Sequence, residues 1–415
     1  MQTGDLVDLE LTSIAHGGVC VARASTGPST SPSTSPSTSS GQATGQATGQ
    51  ATATDGRVIF VADGIPGERV RAVVTQVKKA FARAVTVEVR DASPHRQPHV
   101  WAEADLSRAP DDRAGGADFG HIALAHQREL KAQVLVDAFA RFAHQQVSVA
   151  VEPAPGETER GTGWRTRVGL HVAEDGRVGP FAARSHHVIE VADHPLAVPE
   201  IAALAATIRR GRGTRVDLVK PADGPARRAK KGEVVTEWAA GRHFAVDADG
   251  FWQVHREAAD VLHAAVTDAL DAPTGTCLDL YGGVGLFADA LARAGAERVI
   301  SVESAPRATE HARENLQRHP GVIAETGRVE RWLTTFDEPV GTVVLDPPRA
   351  GAGREVTDRL ARLAPASLVY IACDPVALAR DAGYLAEHGF ELQLLRAFDL
   401  FPNSHHVEAL AVFAR

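Results

Sequence analysis

Cys373 stands in Tyr370-Ile371-Ala372-Cys373-Asp374-Pro375, after one apolar run and at the start of another with helical spacing. A thiolate is a strong nucleophile, and a helix N-terminus can draw a thiol below its usual pKa of ~8.5. A buried structural cysteine is the other reading of such a residue. Two carboxylates occupy comparable places. Asp346 closes an apolar run in Asp346-Pro347-Pro348-Arg349, and Glu408 follows the polar stretch that starts at Phe398. Glu408 could serve as a base or be an edge-strand charge. His405 and His406 are adjacent, so they point in different directions; no third ligand accompanies them, and no metal is expected.

A second group reads as a nucleotide cradle. Gly283, Gly285 and Ala288 satisfy the G-x-G-x-x-G/A spacing, in which glycines allow a tight turn and a close approach of backbone to ligand. Glu303 ends the next apolar run, where a carboxylate can accept hydrogen bonds from ribose hydroxyls. The spacing alone serves both nicotinamide enzymes and S-adenosylmethionine enzymes. The Asp346-Pro347-Pro348-Arg349 loop separates them. Two prolines stiffen it and remove two backbone donors, which suits a loop holding a planar base and a carboxylate beside a reacting methyl group.

These residues need elements to position them. Strand signals occur at 277–280, 298–303, 342–346 and 367–372, with helical spacing near 286–294, 305–318, 353–363 and 375–387. The alternation predicts an α/β fold with a doubly wound, mostly parallel, Rossmann-like sheet. The cradle, Asp346 and Cys373 then fall at the carboxyl ends of strands, where such sheets bind ligands. The last two apolar runs follow each other without a helix and predict an antiparallel hairpin at the sheet edge. Residues 93–250 mix both signals, including a helix over 130–143, a hairpin starting at Arg165 and a helix near 196–209, and read as a small central α+β domain. Residues 1–92 read as a small β module interrupted at 25–54 by PSTS and GQAT repeats, too polar to bury anything and expected to form a disordered loop. The methyltransferase-like part spans 251–415.

The 415 residues suffice for about three domains. Three distant cysteines, Cys20, Cys277 and Cys373, argue against a disulfide framework and fit a reducing, cytoplasmic compartment. No run approaches the ~18 apolar residues of a membrane span, and the first ten residues lack a signal-peptide pattern. The net charge of -8 argues against nucleic acid only as an average. Residues 251–415 hold 15 basic and 23 acidic residues, so the whole excess lies there; residues 1–250 hold 29 of each. Basic clusters occur at 68–90 (Arg69, Arg71, Lys78, Lys79, Arg83, Arg90) and at 208–231 (nine Lys and Arg against Asp217 and Asp223).

Taken together the motifs resemble the RNA (uracil-5-)-methyltransferase family over nearly the whole chain. HGGVCVAR and GRVIFVADGIPGERV resemble its N-terminal TRAM domain, an OB-like RNA-binding β-barrel. Phe251-Trp252-Gln253-Val254-His255, DLYGGVGLFA, the SVE strand end, DPPR, the Cys373-x-Pro375 element and the ending D-x-F-P…H-x-E follow in the family's order. The resemblance implies that Gln253, Tyr281, Gly283, Glu303 and Asp346 hold S-adenosylmethionine, that Cys373 attacks C6 of uracil, and that Glu408 removes the C5 proton. It implies RNA as partner, ribosomal more than transfer RNA, and a monomer. His255 and Asp374 depart from the family's usual asparagines, and Ser404 from its threonine. Many relatives carry a four-cysteine iron–sulfur cluster after the TRAM domain; here alanines 114 and 117 stand where cysteines belong, so no cluster is expected. With a barrel beside them, the basic clusters are expected to contact phosphates. Rival readings are methylation of an exocyclic amine with Cys373 structural, a non-catalytic RNA-binding protein, and a nicotinamide-dependent oxidoreductase.

Overall fold

Strict alternation builds the first element. In β1 (Leu6–Ala15), Val7, Leu9 and Leu11 point inward and their neighbours outward. It closes into a five-stranded barrel with β2 (Val19–Ala24), β3 (Val58–Ala62), β4 (Arg69–Val77) and β5 (Phe81–Asp91), in the order β1-β2-β3-β5-β4. The computed structural model describes residues 1–24 and 57–415, so the repeat tract at 25–54 lies outside the described residues. Glu68 is fully buried beside the barrel wall. It accepts hydrogen bonds from Arg96 Nε (2.6 Å) and Nη2 (2.7 Å), and from the amides of Ile65 and Ser93. Burial alone would raise its pKa, but these donors hold it below the ordinary value. The basic cluster on these strands is largely neutralised in place. Arg69 pairs with Asp91, Arg71 with Asp8 and Arg90 with Glu88, while Lys78, Lys79 and Arg83 have no ion pair among the described residues.

Residues 1–96 and 106–110 form this unit; 97–105 and 111–415 form a second one. The second holds both segments that the sequence divides at residue 250. Its elements run α1 (Leu124–Ala138, continued by a π turn over 139–143), β6 (Val151–Pro153), β7 (Arg167–Val172), β8 (Val178–Gly179), α2 (Pro199–Thr207), β9 (Arg215–Val219), β10 (Arg227–Arg228), β11 (Val234–Ala239) and β12 (Arg242–Asp247). Then come α3 (Ala258–Ala269), β13 (Thr276–Leu280), α4 (Leu286–Arg293), β14 (Arg298–Glu303), α5 (Pro306–Asn315), β15 (Val322–Thr326), α6 (Val329–Thr335), β16 (Val340–Leu345), α7 (Gly353–Leu363), β17 (Ser367–Ala372), α8 (Pro375–Glu387), β18 (Glu391–Asp399) and β19 (Glu408–Ala414).

The main sheet has the order β15-β14-β13-β16-β17-β19-β18-β6. Strands β15 to β17 are parallel, and β19 runs antiparallel to both β17 and β18. Alternate residues of each strand feed opposite layers. Leu278, Leu280, Val343 and Leu345 pack with α6, α7 and α8 on one side. Cys277, Val299, Val344 and Ile371 pack with α3, α4 and α5 on the other. This is the doubly wound arrangement that the alternation predicted. The chain reverses its direction of winding between β13 and β16, so a crevice opens at their carboxyl ends.

The sequence reading needs correction at the edge. The β18–β19 hairpin is antiparallel as expected, but it is not the margin of the sheet. Three residues of β6 add outside it, parallel to β18, and Arg396 and Glu152 bind each other bidentately across that pair at 2.9 Å. β15, α3 and α6 were not foreseen either.

A candidate active site at the carboxyl edge of the sheet

Each site residue is set by the end of a strand. β13 ends at Leu280, and Tyr281 turns the chain in left-handed backbone (φ 63°). The glycines that follow have different reasons to be glycine. A Cβ on Gly282 would lie 2.1 Å from Ser301 Oγ and 2.5 Å from Asp279 Oδ2, so no side chain fits. Gly283 has φ +54° and nothing within 4 Å of a Cβ, because it faces open space. Glu303, at the end of β14, braces this loop. Its Oε2 accepts the Gly283 amide (3.1 Å), and its Oε1 accepts the Ala305 amide (2.6 Å) and Ser304 Oγ (3.0 Å).

Asp346 follows β16, and its amide donates to Leu280 O. Cys373 follows β17. Ala372 pairs with Ala409 across the antiparallel β17–β19 ladder, so Cys373 and Glu408 stand one step further along it, side by side. Asp374 caps α8 through Oδ1, which accepts the amides of Val376 (3.0 Å) and Ala377 (2.9 Å), with Pro375 as first helical residue. The departure from asparagine at this position therefore keeps the cap.

Gln253, Tyr281, Gly283, Glu303, Asp346, Cys373 and Glu408 all line one cavity of about 1020 Å³. Phe251, three-quarters exposed, sits on it too. His255 is buried behind this stretch, stacked on Trp164 with 5.5 Å between ring centroids, and its Nδ1 accepts the Glu257 amide. Burial, then Arg256, pushes its pKa down to about 4, so it is neutral.

The electrostatics overturn one expectation. The Cys373 thiol is not activated in the empty cavity; its pKa is pushed up to about 12. Desolvation is the main cause, followed by the charges of Glu408 and Asp346, with Arg349 opposing them. The residue precedes the helix cap and gains little from the helix end, whose first amides Asp374 already takes. Asp346 is raised to about 7 by burial and by Asp279. Glu408 is raised well above the carboxylate range by burial and by Asp346, with Arg349 pulling the other way. Asp279, fully buried, is raised to about 7 by burial, with Ser301, which satisfies its Oδ2 at 2.8 Å, and the Ala288 amide opposing. Like charges gathered in a dry cleft are a mark of functional sites.

The loop between β18 and β19 carries His406 and leads into Glu408, and it is held by residues that the sequence did not single out. Lys131, fully buried on α1, donates to Asp399 Oδ1 (2.5 Å) and Phe401 O (3.1 Å). Asn403, in left-handed backbone, exchanges two hydrogen bonds with the Gln127 side chain and donates to the carbonyls of Arg160 and Gly161. His405 Nδ1 meets Asp118 Oδ2 at 2.5 Å. Burial opposes the Asp118 charge, but His405 draws its pKa down to about 2. Asp118 lies in the 114–121 stretch, so that stretch is tied to the loop by this contact. A lysine inside the apolar stripe of α1 was the one sequence signal for this brace. No group of three His, Cys, Asp or Glu able to hold a metal occurs among the described residues, and no helix among them is long and apolar enough to cross a membrane.

Comparison with known proteins agrees with this geometry. Residues 332–415 match the tRNA (Uracil-5-)-methyltransferase family. An uncharacterized RNA methyltransferase of Streptomyces avermitilis is 37% identical over 99% of this chain and 98% of its own. The 23S rRNA (uracil(1939)-C(5))-methyltransferase RlmD of Shewanella amazonensis is 29% identical over 86% of this chain and 91% of its own. Among solved structures, the tRNA (uracil-54, C5)-methyltransferase of Pyrococcus abyssi, in complex with S-adenosyl-L-homocysteine, superposes with a TM-score of 0.65 at 21% identity, covering 87% of this chain and 97% of that one, which establishes the shared fold.

Proposed function

Because the chain belongs to the RNA (uracil-5-)-methyltransferase family, we propose that it methylates C5 of a uridine in ribosomal RNA through a covalent adduct between Cys373 and uracil C6. The observation that carries this is the convergence of Cys373, Glu408 and Asp346 with the glycine cradle in one cavity. The cradle fits S-adenosylmethionine: Gly283 faces open space, Glu303 has lone pairs left for ribose hydroxyls, and Asp346 and Glu408 are buried carboxyls whose ionisation a cation beside them would favour. That molecule supplies an electrophilic methyl group when bound.

The residues of the chain do the rest. C5 of uracil is a weak nucleophile until a thiolate adds at C6. Cys373 gives up its thiol proton to water and forms that bond through Sγ, the ring electrons move to the O4 side, and C5 becomes able to take the methyl group, whose bonding pair stays behind on the donor sulfur. Glu408, opposite Cys373 on the β17–β19 ladder and ionised once a bound cation offsets its burial, then accepts the C5 proton, and the returning electron pair expels Cys373 from C6 as thiolate. The reaction thus opens and closes at one sulfur. Tyr281 and the stiff Pro347-Pro348 turn shape the walls, and the uridine must leave its stack to enter.

RNA containing 5-fluorouridine tests the adduct, because fluorine at C5 cannot leave as a proton. A stable protein–RNA complex, lost in Cys373→Ala, is expected; an active enzyme that forms none rules out attack by Cys373. Ribosomal RNA is supported by the Shewanella relative. Mapping 5-methyluridine by mass spectrometry in a deletion strain checks it: a missing site in 23S RNA is expected, and one in transfer RNA reassigns the substrate.

A further inference from the structure

The sheet β10-β9-β7-β8 spends one face on packing: Leu170, Val216 and Leu218 close over Ile201 and Ala205 of α2. On the other face Gly169 and His171 of β7 stand opposite Asp217 and Arg215 of β9. A Cβ on Gly169 would lie 2.4 Å from Arg215 Nη2 and 2.6 Å from its Cζ, so the missing side chain lets the guanidinium lie across the strand. Asp217 accepts Arg215 Nε at 2.6 Å, and the arginine remains half exposed. Beside it the His171 ring stacks on Phe181 (3.4 Å between centroids, 11° between planes), and His186 meets Phe181 edge-on at 5.2 Å. These rings line a groove of about 660 Å³ that also holds Arg177 and the carboxylates Glu174 and Asp175. A second groove, of about 550 Å³, is lined by Arg210, Arg212, Arg215 and Arg228, with Asp217 as the carboxylate on it.

The positive charge continues inward. Arg165 lines the catalytic cavity, as does Arg349. Burial first, then the charges of Arg215 and Arg349, disfavour its protonated form, which places the three guanidinium groups in one electrostatic neighbourhood. Arg165 and Arg349 have no carboxylate partner among the described residues. A cavity for one flipped base therefore opens beside a row of cations and a short stack of rings.

We propose that the outer face of this sheet holds the single strand of RNA flanking the target uridine, with phosphates on Arg165, Arg215 and Arg228 and a neighbouring base extending the His171–Phe181 stack. This rests on the RNA reading above and specifies where the substrate lies. A small anion would occupy one groove and leave the row unexplained. The His171 and Phe181 rings are partly exposed in their groove, and such rings take unstacked bases, which a duplex withholds. The basic cluster at 208–231 thereby gains a role.

The full chain can be titrated by fluorescence anisotropy with a labelled uridine-rich single strand of ~20 nucleotides and with its duplex. The expected result is preference for the single strand, an affinity loss of about 5- to 150-fold in Phe181→Ala, and a salt slope reduced by about 1.4 in the double variant Arg215→Gln/Arg228→Gln. Binding of S-adenosylhomocysteine should stay as in wild type, and Arg298→Gln, at the amino end of β14 in the main sheet, should bind RNA normally. Should Phe181→Ala lose S-adenosylhomocysteine binding, the exposed pair Arg212→Gln/Arg228→Gln decides by its slope. Wild-type affinity and slope in the arginine variants overturn the proposal, as does equal affinity for polyglutamate or for the duplex. A wild-type protein that binds S-adenosylhomocysteine but no RNA overturns the RNA reading itself.

Discussion

Glu303 and Glu408 face the same cavity under opposite conditions. Glu303 accepts two amides and a hydroxyl, so its carboxylate is satisfied before any ligand arrives. Glu408 is buried, has no hydrogen-bond donor among the described residues, and is pushed far up in pKa by its surroundings. The same division runs through the neighbours. The glycine loop is braced by backbone geometry, whereas Asp346 and Cys373 are both raised by burial and by other carboxylates. One half of the cavity is finished as folded. In the other half burial disfavours the charged forms of Asp346, Cys373 and Glu408, and a cation beside them would favour ionisation. On the proposed reading this keeps the nucleophile a thiol, protected from adventitious chemistry, until the methyl donor is bound.

Substitutions in the two halves should then differ in kind. Cys373→Ala is the largest: methylation should fall by roughly 10⁴-fold or more, as nucleophile removal does elsewhere, while calorimetric binding of S-adenosylhomocysteine stays unchanged. Retained activity would move Cys373 to a structural role. Glu408→Gln should cost ~10²- to 10⁴-fold and, unlike the cysteine variant, should accumulate a methylated protein–RNA adduct on denaturing gels, because the C5 proton stays in place. Glu303→Ala belongs to the finished half. It should weaken S-adenosylhomocysteine by about tenfold, equal to one lost charge-assisted hydrogen bond, with kcat less affected than KM. An equal loss of kcat in the last two variants would erase the distinction.

The finished half was legible in the sequence, because a glycine loop between two strands is a local pattern and its spacing carries its geometry. The pairing of Cys373 with Glu408 was half legible: both strand ends were visible, but their register appears only once β19 inserts beside β17. What brackets that half was hidden. Lys131 and Gln127 reach Asp399 and Asn403 from more than 260 positions away, and β6 is three residues long. No window on the chain reports such contacts. The thiol misled for the same reason. Its local context names a helix terminus, while the dominant effects are burial and two carboxylates from other strands. Local chemistry predicted where Cys373 is and missed its state.

The smallest expected effect tests that state directly. Asp346 is raised from 3.8 to about 7, so near neutral pH its carboxyl in the empty cavity is only partly ionised. S-adenosylmethionine carries one more positive charge than S-adenosylhomocysteine. A ligand that needs the carboxylate must displace the proton, so its affinity rises with pH below the shifted pKa and levels off above it. Between pH 6 and 8 the affinity for S-adenosylmethionine should rise by up to about tenfold, and that for S-adenosylhomocysteine should change less. Asp346→Asn should flatten the first profile and leave the second nearly as it was. Parallel profiles for the two ligands in wild type would mean that the reactive half is not waiting for a cation, and that burial alone sets the resting state of Cys373.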